Sequence, residues 1–176
     1  PHSALPARRV ALPIIPSAGA RMREAIAGGR MTPEVAHEMM VETYRGFVEE
    51  HTQVFGAFLG EVLRAGDRPV VFHCTAGKDR TGFAAALLLS ALGADDAAVE
   101  RDYLRTAELW SPPPELASAV PEAAQGAMFG VHRDYLASAF TALEAAHGDA
   151  RRFAVAALGA EDFDTLSASL VVPASA

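Results

Sequence analysis

The 176 residues are 51% hydrophobic and 21% charged, an ordinary globular balance with enough chain for one domain and a sizeable core. A formal net charge of −7 argues against a protein that lives on nucleic acid or on an anionic membrane surface, because no basic surplus offsets phosphate repulsion. The single cysteine, Cys74, excludes an intrachain disulfide and makes a cytoplasmic location the default.

The first residues, PHSALPARRV, lack the apolar run of a secretory signal. Residues 1–20 are rich in proline and small side chains, and Val10 to Ile15 offers a short strand interrupted by Pro13. Gly28-Gly29 marks a turn. Thr32-Pro33-Glu34 then reads as a helix start, with Thr32 as N-cap and Pro33 in the first helical position. Val35, Met39, Met40, Phe47, Phe55, Phe58, Leu59, Val62 and Leu63 follow mostly at three-to-four spacing. They predict one or two amphipathic helices closed by Gly66. Val70, Val71 and Phe72 form a short β-rich apolar run, expected to be a buried central strand. An Ala- and Leu-rich helix is predicted from Arg80 to Leu92, stopped by Gly93; its apolar stretch from Phe83 is too short to span a bilayer. Asp95 caps another helix reaching about Leu109. Ser111-Pro-Pro-Pro114 is a rigid break, residues 115–127 are weakly helical, and Val131 to His147 reads as a clear amphipathic helix ended by Gly148. Two short helices follow, around Arg151 to Leu158 and Glu161 to Val171.

Helix, strand, turn and helix around residue 74 point to an α/β fold, a parallel sheet flanked by helices with the Cys74 loop at the carboxyl end of the central strand. One clear strand and one interrupted strand are too few to build such a sheet. The other strands are expected in residues 1–20 or outside this chain.

The stretch His73 to Gly82, HCTAGKDRTG, carries the chemistry. A lone cysteine after an apolar run is ordinarily a small buried hydrophobe; Gly77, Arg80 and Thr81 at these offsets reverse that reading. Five residues, Thr75, Ala76, Gly77, Lys78 and Asp79, separate Cys74 from Arg80. A tight loop of that length between a strand and a helix can turn its backbone N–H groups inward as an anion nest. The following helix adds its positive end, and Gly77 permits the backbone conformation such a loop needs. Arg80 is placed to hold two anion oxygens as a planar fork, and the same donors stabilise a Cys74 thiolate. Thr81 can hydrogen-bond the sulfur, and His73 can orient the loop. Gly77-Lys78 is not an NTP-binding loop, because Asp79 stands where Ser or Thr is required. The six histidines show no metal-ligand spacing.

This stretch resembles the C-x5-R-[ST] signature of the protein-tyrosine-phosphatase superfamily. Its AGKDR core is similar to the atypical bacterial tyrosine and lipid phosphatases, a group with mycobacterial and Listeria members. Asp102-Tyr103-Leu104 and the run VHRDYLASAFTALEAAHGD from Val131 also resemble that family, so the likeness covers roughly residues 35–171. The resemblance implies hydrolysis of phosphotyrosine, with phosphoserine, phosphothreonine and phosphoinositides as further substrates, through a phosphocysteine and without metal or organic cofactor. It implies Cys74 as nucleophile, Arg80 as oxyanion holder, and Asp79 as general acid. Thr75, Ala76, Gly77, Lys78 and Thr81 are left to bind substrate, Lys78 as a second cation for a multiply phosphorylated head group. Secreted members allow an extracellular location. The family's usual front, with an Arg-Asp-Leu-Gly-Gly motif and early strands, has no match here. The expected layout is therefore one phosphatase-like domain lacking N-terminal strands. Residues 1–30 would be an irregular lead-in, 31–109 a catalytic core, 110–130 a linker or lid, and 131–172 C-terminal helices. Three rivals stand beside the phosphatase: a rhodanese-like sulfurtransferase, also built on a cysteine loop, a phosphate-recognition module without turnover, and a phosphatase fragment inactive for want of its front.

Overall fold

A computed structural model describes residues 7–171, and the regular elements among them are all helices. Helices α1 (Ala18–Ala27), α2 (Pro33–Glu49) and α3 (Thr52–Ala65) precede the cysteine loop. Helix α4 (Asp79–Ala91) leaves that loop. It is followed by α5 (Asp96–Leu104), α6 (Thr106–Leu109), α7 (Pro114–Ser118), α8 (Glu122–Phe129), α9 (Arg133–His147), α10 (Ala150–Leu158) and α11 (Ala160–Leu170).

The local start and stop signals act as read. Thr32 accepts the Val35 N–H at 3.3 Å with Pro33 opening α2, and Asp95 accepts the Ala98 N–H at 2.7 Å to cap α5. Helix α1 is the element that composition did not mark; its N-cap, Ser17, makes no side-chain cap and instead bonds Glu50 at 2.8 Å.

Helix α2 is the central element. It packs against α8 and α9, while α10 packs against α3 and α4. The main core gathers Tyr44 and Phe47 of α2, Phe55 and Leu59 of α3, Phe83 and Leu87 of α4, and Tyr135 and Leu143 of α9. Phe83 stands edge-on to Phe55 at 4.8 Å and lies 5.8 Å from Phe47. Each ring buried this way contributes roughly 1.5–3 kcal/mol. A second cluster joins Ala25 of α1, Ala36 and Met39 of α2, and Ala124 of α8.

The expected parallel sheet is not formed: no strand occurs among the described residues. Val10 to Ile15 and Val70 to Phe72 both lack regular structure, and Val71 is 87% exposed. The reason is physical. Strand preference is a preference for cross-strand neighbours on a half-buried pleat, and neither segment has a ladder partner here. The first segment is held instead by side chains: Arg8 pairs with Glu61, Ile14 is buried, and His51 Nε2 donates to the Ile15 carbonyl at 3.2 Å. The second is held by Phe72, whose ring meets Phe58 edge-on at 4.8 Å. Among the described residues no helix is long and apolar enough to cross a membrane.

Candidate active site

Residues 75–78 make the bend that follows Cys74 and feeds α4, so the loop runs directly into a helix N-terminus with its unpaired N–H groups. Gly77 has φ +68°, the left-handed region where a side chain would be strained although space is open around it. Thr75, Ala76 and Gly77 are exposed, and Cys74 is half-buried beneath them.

Thr81 closes the loop. Its Oγ1 accepts the Cys74 N–H at 2.9 Å. With its lone pair so occupied, the hydroxyl is oriented to give its own proton to the sulfur. Burial pushes the Cys74 thiol up. Hydrogen bonds from the Thr81 hydroxyl and from the backbone at Thr81, Lys78 and Ala76 outweigh it and bring the thiol down to about 7. His73 Nδ1 donates to the Cys74 carbonyl at 2.8 Å, so it steadies the loop from behind.

Arg80 is clamped from two sides. One terminal nitrogen donates to the Ile14 carbonyl at 3.1 Å and the other reaches Thr75 Oγ1 at 3.4 Å. Two of its five N–H donors are thus used to fix the plane of the guanidinium, which leaves the fork oriented for an anion.

Asp79 and Lys78 turn a different way. Lys78 is only 4% exposed. Its ammonium donates to the carbonyls of Gly130 at 3.0 Å and Met128 at 3.4 Å, pairs with Asp79 Oδ1 at 3.0 Å, and lies 5.5 Å from the Trp110 ring centroid. Asp79 Oδ1 also accepts the Tyr44 hydroxyl at 3.1 Å, and Tyr44 accepts the Tyr103 hydroxyl at 2.9 Å. The geometry therefore joins Cys74, Arg80, Thr75 and Thr81 around the loop, and gathers Lys78 and Asp79 with Tyr44, Tyr103 and the end of α8 beneath it. Tyr44 and the Ile14 carbonyl carry no sequence signal, since they reach the loop from 35 and 66 residues away. Tyr103 was visible only as the middle of Asp102-Tyr103-Leu104.

Removing the Thr81 hydroxyl tests the assignment of the thiol. Thr81→Ala is expected to raise the Cys74 pKa from about 7, because the strongest of its lowering partners is lost. The rate of iodoacetamide alkylation as a function of pH measures this; a midpoint that stays near neutrality would show that the backbone donors suffice.

The family described as "Tyrosine phosphatase family" matches residues 1–172. A protein of Cupriavidus necator carrying the name of a tyrosine-protein phosphatase is 41% identical over 75 residues, which are 43% of this chain and 27% of that protein. The triple specificity protein phosphatase PtpB of Mycobacterium tuberculosis is 41% identical over 73 residues, 42% of this chain and 26% of the relative. A tyrosine-protein phosphatase of Nostoc commune is 54% identical over 37 residues, 21% of this chain and 13% of the relative. The matched stretches thus span about a quarter or less of those relatives' lengths.

Proposed function

This chain belongs to the tyrosine phosphatase family, and from that premise we propose that it hydrolyses phosphomonoesters, phosphotyrosine foremost, through a phosphocysteine on Cys74. The observation that supports this reading is the Cys74–Thr81 closure, in which hydrogen bonds from the Thr81 hydroxyl and the loop backbone lower the thiol to about 7, with Arg80 held by the Ile14 carbonyl and Thr75 of the same loop.

In the first step the thiolate attacks phosphorus in line. The S–P bond forms as the bond to the ester oxygen breaks, and Arg80 and the loop amides hold the three equatorial oxygens. Asp79 gives its proton to the departing oxygen. In the second step Asp79 takes a proton from water, the water oxygen bonds to phosphorus, and the thiolate leaves with help from the Thr81 hydroxyl. Phosphoserine, phosphothreonine and phosphoinositides fall within the same chemistry. The order of preference follows the charges: with Lys78 committed to the carbonyls of Met128 and Gly130, Arg80 is the cation the loop offers a substrate, which suits one phosphate better than several.

The test is turnover by this chain on a phosphotyrosine peptide, a phosphoserine peptide and phosphoinositide vesicles side by side, with thiosulfate as the sulfurtransferase control. Sulfur transfer from thiosulfate without phosphate release from any ester would replace the phosphatase with the rhodanese-like reading. Binding of the phosphotyrosine peptide without release would replace it with a recognition module. The acid is tested by leaving group. Asp79→Asn is expected to cost about 10²–10³-fold in kcat/KM with phenyl phosphate and only a few-fold with p-nitrophenyl phosphate, whose oxygen leaves easily as an anion. Equal losses on both would move the acid away from Asp79.

A further inference from the structure

The four groups beneath the loop form a single directed chain. A backbone hydrogen bond from His132 reaches the Tyr103 oxygen, the Tyr103 hydroxyl donates to Tyr44, and the Tyr44 hydroxyl donates to Asp79 Oδ1. The Lys78 ammonium arrives at that same oxygen. Neither partner takes Oδ2.

We propose that Tyr44, backed by Tyr103, and Lys78 are positioning residues that anchor Asp79 through Oδ1 and reserve Oδ2 as the oxygen that carries the transferred proton. The inference rests on the reading of Asp79 as general acid given above.

Several observations support it. A proton on Oδ1 would stand 3.0 Å from an ammonium and 3.1 Å from a hydroxyl that needs an acceptor, which favours Oδ2 as the oxygen that is protonated. Oδ1 is held by buried partners, while the Asp79 side chain as a whole keeps 25% of its surface exposed. Tyr44 is fully buried, and burial, the Asp79 charge and Tyr103 push its hydroxyl well above its ordinary value, so it stays a donor at any working pH. Burial does the same for Tyr103. The contact depends on a close approach: a Cβ at Gly82 would meet the Tyr103 ring at 3.2 Å, so the glycine in the first turn of α4 admits that ring. Lys78 in turn ties Asp79 to the Met128 and Gly130 carbonyls at the end of α8, which directs its buried ammonium away from a substrate.

The chemistry this serves is balanced. As the P–O bond of the ester breaks, its electron pair stays on the leaving oxygen, and the proton on Oδ2 moves to that oxygen. The carboxylate charge so created falls beside a cation and a hydroxyl already in place, with no reorganisation needed. In the second step water returns a proton to Oδ2 as its oxygen bonds to phosphorus and the S–P electron pair returns to sulfur. The charged and titratable groups facing Asp79 are Lys78 beside it in the loop, Tyr44 from α2, Tyr103 from α5 and Tyr135 from α9.

Tyr44→Phe tests the relay with the least disturbance, because the ring that fills the core is kept. Three results are expected with phenyl phosphate. First-step kcat/KM falls about tenfold, the loss of one hydrogen bond to a developing charge. With p-nitrophenyl phosphate it falls no more than about twofold. The limb of the pH–rate profile that Asp79→Asn removes moves upward, since the carboxylate form has lost a donor. Tyr103→Phe should move the same limb in the same direction by less. Lys78→Met should lower turnover of phosphotyrosine peptide and of phosphoinositide by the same factor. Equal losses on both leaving groups with the limb unmoved in Tyr44→Phe would overturn the inference, and so would a loss confined to phosphoinositide in Lys78→Met. A parent protein without phosphatase activity, or an Asp79→Asn protein with equal losses, would instead overturn the reading beneath it, and those results come from proteins in which the relay is untouched or irrelevant.

Discussion

Cys74→Ser is expected to lose turnover by roughly 10⁵–10⁶-fold, the scale seen when a covalent nucleophile is removed from an intact site. The serine hydroxyl keeps nearly the same shape, so the Cys74 N–H bond to Thr81 Oγ1 and the loop it closes should survive. What disappears is an acid that the loop brings to about 7; an alcohol in the same place stays protonated, and a protonated hydroxyl is a poor nucleophile. The N–H groups of the loop and the Arg80 fork are untouched, so affinity for tungstate, a phosphate mimic, should stay within a few-fold by calorimetry. The pair of measurements separates attack from binding. A Cys74→Ser protein that still hydrolyses phosphotyrosine peptide at the parent rate would end the phosphocysteine mechanism.

Arg80→Lys is expected to lower kcat by about 10³-fold, comparable to the loss of a main oxyanion donor, and to weaken tungstate as well. Charge is conserved in this change, so the effect isolates geometry. The guanidinium is held by the Ile14 carbonyl at 3.1 Å and Thr75 Oγ1 at 3.4 Å while its remaining donors stay coplanar for two oxygens of the anion. An ammonium can make contacts of that kind singly but cannot keep a planar pair free. If kcat on phosphotyrosine peptide and tungstate affinity both stayed within a few-fold of the parent, the fork would not be what holds the equatorial oxygens.

The features legible in the sequence are those whose physics is local. Thr32 before Pro33 and Asp95 before α5 are caps made within three residues, and both bond as read. Gly66, Gly93 and Gly148 each end a helix at positive φ. The loop was legible because its closing contact, Cys74 to Thr81, spans seven residues of continuous chain. The sheet was misread for the opposite reason. Val70 to Phe72 has strand composition, but pairing is a property of two segments, and composition reports on one. The relay beneath Asp79 was hidden likewise, its members 35 and 59 residues apart and bonded only after α2, α4 and α5 have packed. Lys78 shows the same limit: in sequence it is a cation inside an anion-binding loop, and only packing against α8 reveals its buried acceptors.

The relay also contains two of the chain's three tyrosines, and the third, Tyr135, lies 5.8 Å from Tyr44 with its hydroxyl donating to the Ala127 carbonyl. Burial raises all three above the ordinary phenol value. A group held protonated by folding stabilises the native state fully below its unfolded pKa and loses that contribution as pH climbs through the folded value. The tyrosines of this fold therefore make it vulnerable from the alkaline side: above about pH 10 the unfolded chain sheds phenolic protons that the native chain retains. Ionised phenolate, with its own ultraviolet absorbance, accordingly serves as an intrinsic optical marker of the unfolded population.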